Sequence, residues 1–247
     1  MSLYNKVENN LETLGLNLIK ANLEKYIQFI GEGKKDIVEA LYELTNFELE
    51  LRRERAMNAC VKVANFPTIK TFEEFNFEFQ PSINKDQITN FKYLKFIENK
   101  ENIIFIGSPG VGKTHLATSI GVEAAKMRVS TYFITCNDLI LQLKRALIEN
   151  RLEQRLKFFT RYKLLIIDEV GFLPLDVESS NLIFQLLAKR YEKCSTIITT
   201  NKSLSRWGET FGDPVIANAI LDRLLHHSHV INIVGRSYRT KDIVDEE

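Results

Sequence analysis

A chain of 247 residues has room for one full domain and a smaller companion, and an apolar fraction of 45% suits a soluble globular core. The formal net charge of +1 supplies no global field for a polyanion, so any nucleic-acid contact has to come from local basic patches. No apolar run approaches the ~18 residues of a membrane span, and the opening Met1-Ser2-Leu3-Tyr4-Asn5-Lys6 lacks the pattern of a secretory signal. Cys60, Cys136 and Cys194 are far apart and show no metal-ligand spacing, so they read as reduced thiols of a cytoplasmic protein.

Leu11, Leu14, Leu18 and Leu23 predict one opening amphipathic helix, broken at Gly31-Glu32-Gly33. Asp36 with Glu39 resembles a capping box. From there Ile37, Leu41, Leu44 and Leu51 predict a long helix to about Ala64, ended by Pro67. The aromatic-rich stretch from Lys70 to Pro81 (Phe72, Phe75, Phe77, Phe79) is expected to be extended, and Gln87 to Glu98 resumes a helical pattern. Beyond it, apolar β-branched runs at Asn102–Ile106, Thr131–Thr135, Leu164–Ile167, Ser195–Thr200 and Val230–Ile233 alternate with helical stretches. This is the pattern of an α/β fold with a parallel five-stranded sheet flanked by helices. The expected organisation is a small helical amino-terminal domain, residues 1–68, followed by an α/β domain, residues 69–247.

The first two core elements frame a specific motif. Gly107-Ser108-Pro109-Gly110-Val111-Gly112-Lys113-Thr114 fits the phosphate-cradling loop of nucleotide hydrolases, and His115 follows it into a helix with Leu116, Ile120 and Ala124 on one stripe. The glycines let backbone N–H groups curl around an anion, and the helix dipole points at the same phosphates. Lys113 would charge-pair with the β- and γ-phosphates of ATP, and the Thr114 hydroxyl would ligate Mg²⁺. A mere glycine-rich turn would lack the strand before and the helix after.

Leu164-Leu165-Ile166-Ile167-Asp168-Glu169 is an apolar strand ending in two carboxylates. Ligands of such sheets gather at the carboxyl ends of the strands, so Asp168 would hold the Mg²⁺ sphere and Glu169 would polarise the attacking water. Asn201, closing Thr196-Ile197-Ile198-Thr199-Thr200, is placed to bond the γ-phosphate or that water. Arg223 and Arg239 are of the type that stabilises a transferring phosphoryl group, since arginine is planar and always ionised. On spacing alone, an ordinary surface ion pair explains them equally well.

These motifs together resemble the IstB-like ATPases, AAA+ proteins that assist insertion-sequence transposases, and the related helicase loader DnaC. The likeness runs through Gly107 to Ala117, Ile166-Ile167-Asp168-Glu169-Val170-Gly171-Phe172-Leu173-Pro174, Thr200-Asn201, Leu221 to Ile233 and Ser237-Tyr238-Arg239. Phe66-Pro67 and Lys70 to Phe77 add to it upstream. The resemblance implies an AAA+ core, with Asn201 as sensor 1, Arg223 as an arginine finger reaching a neighbour's nucleotide, and Arg239 as sensor 2. It also implies a homo-oligomer with ATP at its subunit interfaces, assembled on double-stranded DNA, and an integrase-like transposase as partner. The usual loop variant has Pro-Pro-Gly-Thr where this chain has Ser108-Pro109-Gly110-Val111. The acidic tail from Lys241 to Glu247 is not expected to touch DNA.

Two basic stretches are candidates for the DNA backbone: Arg52, Arg53, Arg55 and Lys62, then Lys144, Arg145, Arg151, Arg155, Lys157, Arg161 and Lys163. Interspersed Glu48, Glu50, Glu54, Glu149 and Glu153 equally suit solvated helix faces. The resemblance favours both patches, because the family turns its amino-terminal domain and a helical insertion after the second strand toward phosphates. His226, His227 and His229, without a nearby Cys or acid in sequence, do not read as a metal site. Phe75 reads as a core aromatic rather than an adenine platform. A DnaC-type helicase loader, a P-loop small-molecule kinase and a nucleotide-gated DNA-binding switch stand as alternatives. Glu169 beside Asp168 counts against the kinase.

Overall fold

The computed structural model describes residues 1–240; the acidic tail lies outside them. The chain divides into two compact units, Met1–Ala59 and Cys60–Glu247. The first holds α1 (Leu3–Thr13), α2 (Asn17–Gly31) and most of α3 (Ile37–Val63). The single opening helix expected from the leucine spacing is therefore two. Gly15 sits at φ +68°, Leu16 N–H bonds Leu11 C=O at 2.8 Å, and Gly15 N–H bonds Glu12 C=O at 3.0 Å. That paired closure ends α1 in a left-handed residue that glycine adopts without strain. Asp36 caps α3 as its spacing predicts, accepting the Glu39 N–H at 2.8 Å. A small core forms around Tyr26, Ala40 and Leu44. The buried Glu48 of α3 accepts the N–H groups of Leu18 and Ile19, supplying the cap that Leu16 cannot.

The division after Ala59 falls ahead of the boundary expected at residue 68, because Ala64 to Phe66 already belong to the sheet unit. Ala64 C=O accepts the Phe133 N–H at 2.8 Å, Asn65 Nδ2 donates to Phe133 C=O at 2.9 Å, and the Phe66 ring meets that of Phe133 edge-on. The Lys70–Pro81 stretch is a succession of turns rather than extended chain, closed by Phe75 N–H to Phe72 C=O and Gln80 N–H to Phe77 C=O. The Gln87–Glu98 pattern becomes α4 (Lys85–Asn90), a short 3₁₀ turn and α5 (Lys95–Glu98), parted where Leu94 takes φ +57°.

The sheet follows: β1 (Asn102–Gly107), α6 (Lys113–Lys126), β2 (Thr131–Thr135), α7 (Cys136–Ile148), α8 (Leu152–Thr160), β3 (Leu164–Val170), α9 (Val177–Arg190), β4 (Ser195–Thr200), α10 (Trp207–Thr210), α11 (Pro214–Leu225) and β5 (Ser228–Ile233). The five strands lie in the order β2-β3-β4-β1-β5, all parallel. The apolar runs of the inner strands β1 and β3 are explained by burial on both faces, while the edge strand β5 alternates buried and exposed residues. Ile103 and Phe105 pack with Leu116 and Ile120 on one side, and Ile104 packs with Leu186 and Ile220 on the other. All three cysteines are free, and no described helix is long and apolar enough to cross a membrane.

Candidate functional site

The carboxyl ends of β1, β3 and β4 meet at one cavity of about 680 Å³, within the usual range for small-molecule sites. Its floor is the loop between β1 and α6. Gly110 and Gly112 take φ +83° and +98°, and a Cβ on Gly112 would stand 2.5 Å from the Phe75 ring. Only glycine satisfies both demands there. Pro109 to His115 line the cavity, while Gly107 and Ser108 lie behind it. Lys113 Nζ donates to their carbonyls at 2.7 and 2.8 Å. Burial pushes the Lys113 ammonium below its ordinary pKa, against the opposing pull of the Asp168 carboxylate.

Across the loop, Thr114 Oγ1 donates to Asp168, 3.0 and 3.1 Å from its two oxygens. Asp168 is 4% exposed, and burial raises its carboxyl pKa despite the hydrogen bonds from Thr199 and Thr114. In both groups burial outweighs the mutual attraction of the ammonium and the carboxylate. The donor set fits a nucleotide with its cation, since the hard oxygens of Thr114 and Asp168 suit Mg²⁺ and Lys113 suits phosphate. Glu169 is exposed on the cavity wall with its backbone at φ +63°. Asn201 also lines the wall, and its buried Oδ1 has no partner within the protein. An orphaned acceptor at a cavity wall needs a donor from what the cavity holds. Arg239, in the short 3₁₀ turn Tyr238–Thr240, completes the wall, and its charge also lowers the Lys113 pKa.

The structure brings these residues together but leaves Arg223 apart. It lies on α11, donates to Ala219 C=O at 2.9 Å and rests 4.7 Å from the Phe184 ring centroid. Its neighbours are Arg190 and Tyr191, away from the cavity. Among the described residues, Arg52, Arg53 and Arg55 are exposed with no ion pair. Part of the second basic patch is already engaged: Lys144 pairs with Asp176 at 2.6 Å, Arg145 with Glu149 at 3.1 Å, and Arg151 with the same Glu149, while Lys157, Arg161 and Lys163 are exposed. Arg155 bonds Gln142 and covers the Phe158 ring.

Sequence reasoning missed part of the wall. Thr68, Lys70, Glu74, Asn76 and Gln80 come from the turn-rich stretch, and Phe75 both joins the core and lines the cavity. Nothing in their spacing signals this, because turns bring them round rather than a periodic element. Thr199 and Thr200 are likewise cavity residues hidden in an ordinary β-forming run. The histidines also gain a neighbour from the fold. Glu192 approaches His226 and His227, so an acidic donor is near after all. The three are exposed, however, and His226 Nδ1 lies 2.6 Å from Tyr191 Oη, as in a hydrogen-bonded surface turn.

With β1 flanked by β4 and β5 and the glycine loop leading from it into α6, this is a P-loop nucleotide-binding core of the AAA+ class. The chain belongs to the family of IstB-like ATP binding proteins, whose pattern matches residues 9–245. It is 54% identical over 244 residues to an insertion sequence IS232 protein of Bacillus thuringiensis subsp. berliner named for ATP binding, covering 99% of this chain and 98% of that one. An insertion sequence IS21 counterpart from Pseudomonas aeruginosa is 41% identical over 237 residues, covering 96% and 89%. Among solved structures, the DnaC helicase loader aligns with a TM-score of 0.55 at 28% identity, over 69% of this chain and 97% of that one.

Proposed function

We propose that this protein is a Mg²⁺-dependent ATPase that oligomerises on double-stranded DNA and assists an integrase-like transposase. The observation that carries the hydrolytic reading is the wall opposite Lys113. There Glu169 stands exposed next to Asp168, and the Asn201 carbonyl oxygen lacks a donor. Glu169 would take a proton from the attacking water as general base, and the Asn201 amide would help to hold that water. Lys113 exchanges its loop carbonyls for phosphate oxygens, and Arg239 meets the same anion. When bound, Mg²⁺ neutralises charge on the transferring phosphate, with Thr114 and Asp168 as its protein donors.

Assembly enters through Arg223. Its distance from the cavity of its own chain supports a role at a neighbour's nucleotide, where an arginine finger is worth roughly a thousandfold in rate. The free guanidinium groups of Arg52, Arg53 and Arg55 support salt-sensitive, sequence-blind contact with the DNA backbone. The insertion-sequence setting of the relatives supports a transposase as the partner. A helicase-loading role is the second reading, favoured by the likeness to DnaC. Single-turnover ATP hydrolysis with and without duplex DNA tests the core of the proposal, and DNA-independent phosphorylation of a small acceptor would replace it with a kinase. Co-purification with a replicative helicase instead of a transposase would turn the reading to loading.

A further inference from the structure

We propose that the Thr199 hydroxyl is a positioning group that fixes Asp168 and Glu169 relative to each other. The inference rests on the hydrolytic reading above. Along β3 and β4 the ladder pairs Ile167 with Ile198, then resumes only at Val170 with Thr200. Two residues of β3, Asp168 and Glu169, therefore face the single residue Thr199. A bulge of this kind aims side chains but gives up the backbone bonds that would hold them.

The Thr199 side chain replaces those bonds. Its Oγ1 accepts the Glu169 N–H at 2.9 Å and donates to Asp168 Oδ1 at 2.5 Å. A hydroxyl can do both at once, having one donor and two acceptor lone pairs. Thr199 is 1% exposed, so water cannot take its place, and β-branching confines its side chain to few rotamers. The Glu169 N–H bond also pins a non-glycine residue at φ +63°, a conformation that persists only where its surroundings impose it. Asp168 gains a second consequence. With Oδ1 held by Thr199, Thr114 is free to leave the carboxylate for a cation without letting the carboxylate rotate.

The test compares Thr199→Val, which keeps the shape and loses both bonds, with Thr199→Ser, which keeps both. For the Val variant, kcat for ATP falls about 10- to 100-fold, in line with a carboxylate displaced by a fraction of an ångström, while KM for ATP stays close to wild type. Independently of turnover, the Mg²⁺ concentration needed to tighten binding of a fluorescent ATP analogue rises, and Ser restores it. Thr199→Cys, with a poor donor of similar size, falls between them and serves if Val does not fold. Wild-type turnover and Mg²⁺ response in Val, or a Ser variant as impaired as Val at an unchanged melting temperature, would overturn the proposal. A Glu169→Gln protein that hydrolyses ATP normally would instead sink the hydrolytic reading, and the Mg²⁺ titration would still decide Thr199.

Discussion

The two ends of the sheet handle buried charge in opposite ways. At the amino end of β4, Arg190 is 1% exposed and has no carboxylate partner among the described residues, yet four of its five N–H donors are bonded. Nε reaches Thr196 Oγ1, Nη1 reaches the carbonyls of Phe159 and Tyr162, and Nη2 reaches that of Ser195. The acceptors belong to α8, the turn after it and β4, so the guanidinium ties three segments together. At the carboxyl end, Lys113 has only the carbonyls of its own loop, Asp168 leans on two hydroxyls, and the Asn201 oxygen has nothing. One end is complete within the chain, and the other is complete only with a ligand. Arg223, though it neighbours Arg190, is half-buried and meets one carbonyl and one aromatic face.

If this contrast is sound, substitutions at the carboxyl end cost activity and spare the fold, and Arg190 does the reverse. Glu169→Gln gives the largest effect: ATP binding persists while single-turnover hydrolysis falls by ~10²–10⁴-fold, trapping the ATP-bound assembly in sedimentation. Arg223→Ala binds ATP and loses roughly 10³-fold in turnover. Mixing it with Lys113→Ala protein partly restores turnover, and no rescue would mean the finger does not act on a neighbour. Lys113→Ala weakens ATP binding about 100-fold by equilibrium titration, with the melting temperature of the nucleotide-free protein unchanged. Arg190→Met leaves four acceptors unpaired and lowers stability by about 2 kcal/mol, seen as a drop in melting temperature with ATP affinity intact. Smallest is the DNA effect. Replacing Arg52, Arg53 and Arg55 by Ala flattens the salt dependence of duplex binding by about one unit for each arginine that had neutralised a phosphate. The same change at Lys144, Arg145 and Arg151 does less, because those groups must first leave their carboxylates.

The legibility of the sequence divides along the same line. The strands are legible as β-branched runs, most clearly in β1 and β3, where burial on both faces favours apolar residues. The phosphate loop is legible because its chemistry demands glycines and a lysine in fixed order. What spacing misses is set by single dihedrals or by turns. Gly15 at φ +68° splits the opening helix despite its continuous leucine stripe, and Leu94 at φ +57° cuts the Gln87–Glu98 pattern. The Phe72–Pro81 stretch carries aromatics at strand-like intervals, but its side chains serve a wall built from turns. Thr199 could not be singled out at all. A threonine in a β-strand is ordinary, and its role exists only because the facing strand bulges at Asp168 and Glu169.

The short bridge between Ala64-Asn65 and Phe133 reaches beyond the domain boundary it helps to mark. β2 is an edge of the sheet, and an open edge is a template on which another chain can lay a strand. Here the outward N–H and C=O of Phe133 are both occupied by the chain's own preceding segment. At Phe133 the edge of β2 therefore offers no free backbone pair to an added strand. In the assembly proposed above, contact at this point would fall to side chains, which a nucleotide can loosen or tighten more readily than a backbone ladder.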